Sequence, residues 1–287
     1  MKKACVKYSV TELCSVFNVS MSSYYYKSAL PNLVDINIIT MIKAISNESR
    51  NSYGKRRIQA ELNGRGHKVG LHKTASLMVK VNVVAIRPKK RHYYPNAGQE
   101  HKYAPNLLMR EFYPENNNTH WVGDITYIST HQGWSYLACV LDLSTKEIVG
   151  YAMSESPNAQ LAKDALMNAI KREKPKTNLL MFHSDQGVQY SAFEFRNLLA
   201  KFQMTASMSR RGNCWDTAVM ERFFRSLKSE WLPTTEYSSF NQAQALITQY
   251  IVGYYSPHRP HQHNGGLPLN KAEARCNLVS YTVASFT

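Results

Sequence analysis

HWVGDITYISTHQGWSYLACVLDLSTKEIVGYAM, residues 120–153, reads as three successive β-strands. WVGDITYIS, WSYLACVLDL and KEIVGYAM are rich in β-branched and aromatic residues, with only short turns at His131-Gln132-Gly133 and Ser144-Thr145 between them. An antiparallel meander is expected. Downstream, Leu161, Ala165, Leu166, Ala169 and Ile170 give residues 159–171 a helical period; NLLMFHS (178–184) is an apolar strand, residues 191–202 form a helix, and MTASM (204–208) is a short last strand. Residues 216–231 form a helix that buries Met220, Phe223, Phe224, Leu227 and Trp231 along one side, and residues 243–255 form a final amphipathic helix before a Pro/Gly-rich basic tail. The order βββαβαβα predicts an α/β class with a mixed sheet.

That order is the one of a ribonuclease-H-like core, and three acidic residues are spread over it: Asp124 in the first strand, Asp185 in MFHSDQGVQYS, and Glu221 in WDTAVMERFFRSLKSEW. Between Asp185 and Glu221 lie 35 residues, and Lys228 follows seven residues past the glutamate. Carboxylates from separate elements can converge on two divalent cations about 4 Å apart, which activate an attacking oxygen and steady a leaving one. Mg²⁺ is a hard ion that prefers such oxygen ligands. Taken singly, each acid has a plainer reading: an edge residue, a turn cap, a solvated helix position. Asp124 resists it, because a mid-strand site between Val122 and Ile125 is poor ground for aspartate.

Other residues around the acids sort by chemistry. Asp142 also lies in an apolar run and competes with Asp124; Asp216, directly before the last core helix, reads as its N-cap. Glu221, Arg225 and Lys228 share one helical stripe. Gly187 lets the chain turn sharply after the strand. His183 can contact DNA or hydrogen-bond nearby carboxylates, and is read as supporting them together with Asn213. Asn213, Cys214 and Trp215 form a loop before the last core helix; Arg210 and Arg211 precede it as a cationic pair suited to a polyanion, whereas Trp215 reads as a core anchor. His258, His261 and His263 lack the Cys or carboxylate spacing of a metal site, so backbone contact or packing is expected for them, with His258 and Arg259 on DNA.

The front of the chain is different in character. Residues 1–100 hold 17 Lys and Arg against 5 Asp and Glu, whereas residues 101–287 hold 18 against 15. A polyanion-binding front end attached to a different back end gives this asymmetry. Residues 9–27 read as a short helix-turn-helix, and apolar positions 34, 38, 41, 42 and 45 as a further helix. GKRRIQAELNGRGHKVGLHKTASLMVK then gives two helices whose polar face carries Lys55, Arg56, Arg57, Arg65, Lys68 and Lys73 with almost no acidic partners. A basic arm follows at residues 87–92. The five cysteines have irregular spacing and no CxxC pair, against a disulfide framework or zinc finger. No leader-like apolar run follows Met1, and none approaches the roughly 18 residues of a membrane helix, so a cytoplasmic, nucleoid-associated protein is expected.

In combination, SYGKRRI…HKT, WVGDITYI, FHSDQGVQYS, SMSRRGNCWDTAVMERFFRSLKSE and YYSPHRPH resemble the catalytic half of bacterial insertion-sequence transposases of the retroviral-integrase type. In that family the reading frame is joined to an upstream one by programmed frameshifting. The resemblance implies a DDE site with Asp124, Asp185 and Glu221 in its three acidic positions and Lys228 as the basic residue of the same helix. The family motif does not fall on Asp142, which makes that residue structural. It implies two Mg²⁺ ions per site, with Mn²⁺ able to substitute. The partners it implies are double-stranded DNA (terminal repeats and target), a dimer or larger assembly on paired ends, and an upstream-frame fusion partner. The expected division is a helix-turn-helix-like segment (1–30), a basic helical DNA-binding domain (33–92), a linker (93–117), the ribonuclease-H-like catalytic core (118–232), and a C-terminal helix with basic tail (233–287). Two other functions fit the same residues: a catalytically inactive DNA-binding regulator, and a ribonuclease-H-like nuclease that hydrolyses without joining strands.

Overall fold

The structure, a computed structural model, describes residues 9–25, 33–86, 103–210, 214–232 and 237–270. The basic arm at 87–92, Arg211, Asn213 and the tail past residue 270 lie outside the described residues. At the front, α1 (Val10–Val16) opens with a capping box in which Ser9 Oγ accepts the Glu12 amide at 3.2 Å and the Glu12 carboxylate accepts the Ser9 amide at 3.0 Å. After it come α2 (Met21–Tyr25), α3 (Leu33–Glu48), α4 (Lys55–Gly64) and α5 (Leu71–Lys80). Ile38, Ile42 and Ile45 repeat at helical spacing along α3 and bury against Ile58 and Leu62 of α4 and Leu77 and Met78 of α5.

The expected meander forms as β1 (His120–Thr130), β2 (Gly133–Asp142) and β3 (Ile148–Ser154). Parallel strands β4 (Met181–Ser184) and β5 (Thr205–Met208) complete a mixed sheet in the order β3-β2-β1-β4-β5. Asp142 is structural, as expected: its carboxylate accepts the Ser144 and Thr145 amides at 2.7 and 3.1 Å, closing the β2–β3 turn, and the Asn118 amide at 2.6 Å. On one face lie α6 (Ala159–Glu173), α7 (Val188–Ser191) and α8 (Phe193–Lys201). The helix expected over 191–202 forms as α8, preceded by the separate turn α7. Ala192 between the two is extended, and Tyr190 of α7 and Phe195 of α8 both reach the Phe182 ring, with centroids 6.1 and 5.3 Å away.

The other face is covered by α9 (Ala218–Glu230) and α10 (Phe240–Tyr250), the latter continued by a π-helical turn at Ile251–Tyr255. Met220, Phe223, Phe224 and Leu227 are fully buried beneath α9, each contributing about 1.5–3 kcal/mol. The helical front packs into this same layer. Arg50 lies 3.8 Å over the Trp231 ring, and Arg57 meets Glu230 at 3.1 Å.

Candidate active site

Strands β1 and β4 run side by side in parallel, with Val122 opposite His183 and Gly123 opposite Ser184. Asp124 and Asp185 come next on the two backbones, which in a sheet lie about 4.8 Å apart. Asp124 Oδ1 accepts the Ile125 amide at 2.7 Å, and Asp185 Oδ1 accepts the Gly187 amide at 3.0 Å. Both side chains are half-buried. Burial pushes the Asp185 carboxyl up, only partly offset by the Gly187 bond. The Tyr190 hydroxyl is also pushed well up, first by burial and then by the nearby charges of Asp124 and Asp185. One tyrosine thus senses both aspartates.

Two glycines make room for this pair. A Cβ on Gly123 would stand 2.4 Å from the Phe182 ring. At Gly187, a Cβ would stand 2.8 Å from Asp185 Oδ1. The backbone there is ordinary, φ −59° and ψ 146°, so Gly187 is required for space around the carboxylate and not for the sharp turn expected of it.

Glu221 lies in the first turn of α9, half-exposed, with Arg225 and Lys228 further along the same stripe. Strand alternation puts Asp124 on the side of Val122, the side α9 covers. Among the described residues, however, no three His, Cys, Asp or Glu side chains form a group able to hold a metal ion. The fold sets the two aspartates side by side on adjoining strands, with Glu221 in the first turn of the helix that packs on β1. The chemistry of the pair fits a divalent cation: two hard-oxygen donors on adjoining strands in a half-buried notch.

Several neighbours depart from expectation. His183 is buried and bonds Ser207 Oγ through Nδ1 at 2.9 Å, not a carboxylate, and burial lowers its pKa to about 4. Trp215 is 69% exposed and anchors no core. Asp216 caps no helix: α9 starts at Ala218 after Thr217, which makes no side-chain cap bond, and the Asp216 carboxylate instead binds Arg210, Arg110 and Asn106. His261 is packed edge-on against Tyr255, 4.8 Å between ring centroids.

The basic helices have more acidic partners than their sequence promised. Arg65 meets Glu48 and Glu61 at 2.5 and 3.0 Å, and Lys73 meets Asp35 at 2.6 Å. These are surface pairs worth about 0–1 kcal/mol, weak enough for a phosphate to displace. Arg57 and Arg259 differ: both grip Glu230, with Arg259 Nε at 2.7 Å, and Arg259 is 12% exposed. Lys55, Arg56 and His258 stand exposed.

Comparison with known proteins gives this geometry a class. Sequence profiles match an integrase core domain over residues 114–214 and again over 203–268, and an HTH-like domain over 35–91, which spans most of α3 and all of α4 and α5. The chain is an integrase-core protein of ribonuclease-H-like build, with a helical DNA-binding domain in front. It is 31% identical to the transposase InsF of insertion sequence IS3A from Escherichia coli (strain K12), over 93% of this chain and 94% of that one. It is 36% identical to a 31 kDa protein of insertion element IS600 from Shigella sonnei, over 89% of this chain and 95% of that one. The chain belongs to the family of insertion-sequence transposases. Among solved structures, the catalytic core domain of BIV integrase superposes with a TM-score of 0.40 at 18% identity, over 57% of this chain and 99% of that one. The sequence relatives, not this loose superposition, carry the assignment.

Proposed function

We propose that this transposase cleaves the ends of its insertion sequence and joins them to target DNA, with Asp124, Asp185 and Glu221 as the carboxylates of a two-metal site. The observation that carries the reading is the side-by-side placement of Asp124 and Asp185 at adjoining parallel strands, under the helix that bears Glu221. Bound Mg²⁺, or Mn²⁺ in its place, would supply activation of the attacking oxygen and charge relief at the leaving oxygen.

The chain's own groups near the pair favour direct transfer over a covalent enzyme intermediate. Cys139, opposite Asp124, is fully buried with its thiol pushed up by burial and by Asp124, and Tyr190 is likewise held neutral. Neither is a ready nucleophile. Lys228 and Arg225 on α9, with Arg211 and His258, meet DNA phosphates around the reacting end, while Lys55, Arg56 and Lys73 meet them on the helical front. Arg210, expected from the sequence to contact DNA, is a tie to Asp216. Arg57 and Arg259 act as ties to Glu230. Paired ends call for a dimer or larger assembly, and an upstream-frame segment joined to this chain would add end recognition. Its place of action is the bacterial cytosol and nucleoid.

A strand-transfer assay with labelled element ends and Mg²⁺ or Mn²⁺ tests this directly. The chain should yield covalent donor–target products, while Glu221→Gln should yield none and still shift end DNA in a gel. Cleavage by Glu221→Gln would overturn the site, and hydrolysis without joining would leave only a nuclease.

A further inference from the structure

Asp216 is 1% exposed, and its carboxylate accepts five hydrogen bonds. Arg210 supplies its amide at 3.1 Å and two guanidinium nitrogens at 3.2 and 3.1 Å; Arg110 Nε stands at 2.9 Å and Asn106 Nδ2 at 2.9 Å. These donors come from two separate places: the end of β5, and the segment 103–110 that crosses it. Asp216 itself sits in the 3₁₀ turn Cys214–Thr217, five residues before Glu221. Since Thr217 provides no side-chain cap, this carboxylate is what locates the first turn of α9.

From Asp216 the bonds lead to both flanks of Asp185. Next to Arg210, the Ser209 amide donates to the Ser184 carbonyl at 2.8 Å and the Ser209 carbonyl accepts Gln186 Nε2 at 3.0 Å. Ser184 and Gln186 are the residues on either side of Asp185. Next to Asn106, the Leu107 and Leu108 amides donate to Ser207 Oγ at 2.9 and 3.2 Å, and Ser207 Oγ bonds His183 Nδ1 at 2.9 Å. With two amides on its oxygen, the Ser207 hydroxyl has its proton to give to the imidazole, and His183 lies two residues before Asp185. A closed ring of bonds thus joins the helix of Glu221 to the strand end of Asp185.

We propose that Asp216 is a positioning residue of the transposase site: through Arg210 and the 103–110 segment it fixes the helix of Glu221 relative to Asp185. The inference rests on the proposed role of Glu221. Charge-assisted bonds from two guanidinium groups hold geometry more tightly than neutral ones. Groups that orient metal-binding carboxylates typically cost about 10–100-fold in metal affinity or activity when lost.

The test uses the full chain on a labelled element end with Mg²⁺ titrated. Asp216→Asn should lower the cleavage rate at saturating DNA by about 10–100-fold and raise the Mg²⁺ concentration giving half the maximal rate, with DNA affinity held within about twofold. Arg110→Ala removes one of two arginine partners and leaves Arg210 in place, so it should still fold, with a lowered thermal midpoint that stays above the assay temperature, and show a smaller loss in the same two quantities. Normal rate and Mg²⁺ dependence in both variants would overturn the proposal, as would a loss of DNA affinity in step with rate. If Asp216→Asn does not fold, Arg110→Ala decides alone. Glu221→Gln separates the layers: cleavage by it overturns the underlying site, whereas its inactivity beside a normal Asp216→Asn overturns only the positioning role.

Discussion

Gly187 shows how narrow the margins are at the level of single residues. Its amide donates to Asp185 Oδ1 at 3.0 Å, and a methyl group in its place would press on that same oxygen from 2.8 Å. Gly187→Ala should therefore keep the fold, turning the Asp185 carboxylate and lowering metal-dependent cleavage by about 10–100-fold. Equal cleavage rates for the two proteins, measured at saturating Mg²⁺, would contradict this. Asp124 stood out in the sequence because an acid in mid-strand conflicts with its surroundings, and its proposed role rests on that conflict together with its place beside Asp185. Asp216 did not. Its partner Arg110 is 106 residues away, and the local pattern offered only the commoner role of a helix cap. Trp215 was misread for a related reason: residue type suggests burial, yet only packing decides it, and this ring remains 69% exposed.

Among the elements, α9 was the most legible, since Met220, Phe223, Phe224 and Leu227 repeat with the period of one buried face. Its fastening was not. Glu230 at the C-terminal end is gripped by Arg57 and Arg259, as Asp216 is gripped by Arg110 and Arg210 before the N-terminal end, so carboxylates paired with two arginines hold both ends. The last helix was expected over 243–255; the α-helix ends at Tyr250, and the π-helical turn beyond it brings Tyr254 and Tyr255 into the core. The segment after that turn is closed by His261, whose Nε2 donates to the Tyr255 carbonyl at 3.1 Å. Burial lowers its pKa to about 4, outweighing that bond. The unfolded chain, with histidine near 6.5, takes up the proton first, so this stability is full above pH ~6.5 and is lost as pH falls toward 4, on the order of 3 kcal/mol at most. Urea midpoints at several pH values should show His261→Gln less stable at pH 7 but with a shallower acid loss. An acid loss as steep as the parent's would contradict the assignment.

For the molecule as a whole, the uneven charge was visible at once, and it does mark a helical front with exposed Lys55 and Arg56. What composition hid is that this front docks on the catalytic layer, with Arg50 over Trp231 and Arg57 on Glu230, so that two of its cations are engaged internally. Lys55→Ala and Arg56→Ala should each reduce the slope of log affinity against log salt by about 0.9 if each meets one phosphate. Arg57→Ala should lower the thermal midpoint more than the salt slope; the reverse ranking in binding isotherms and melting curves would contradict the docking role. The account as a whole depends on carboxylates from three elements, β1, the end of β4 and α9, sharing cations. Mn²⁺ binding followed by electron paramagnetic resonance measures that directly in the unmodified chain and in Asp124→Asn, Asp185→Asn and Glu221→Gln. The predicted result is saturable binding in the first, sharply weakened in all three variants; Mn²⁺ binding that none of the three substitutions changes would contradict it.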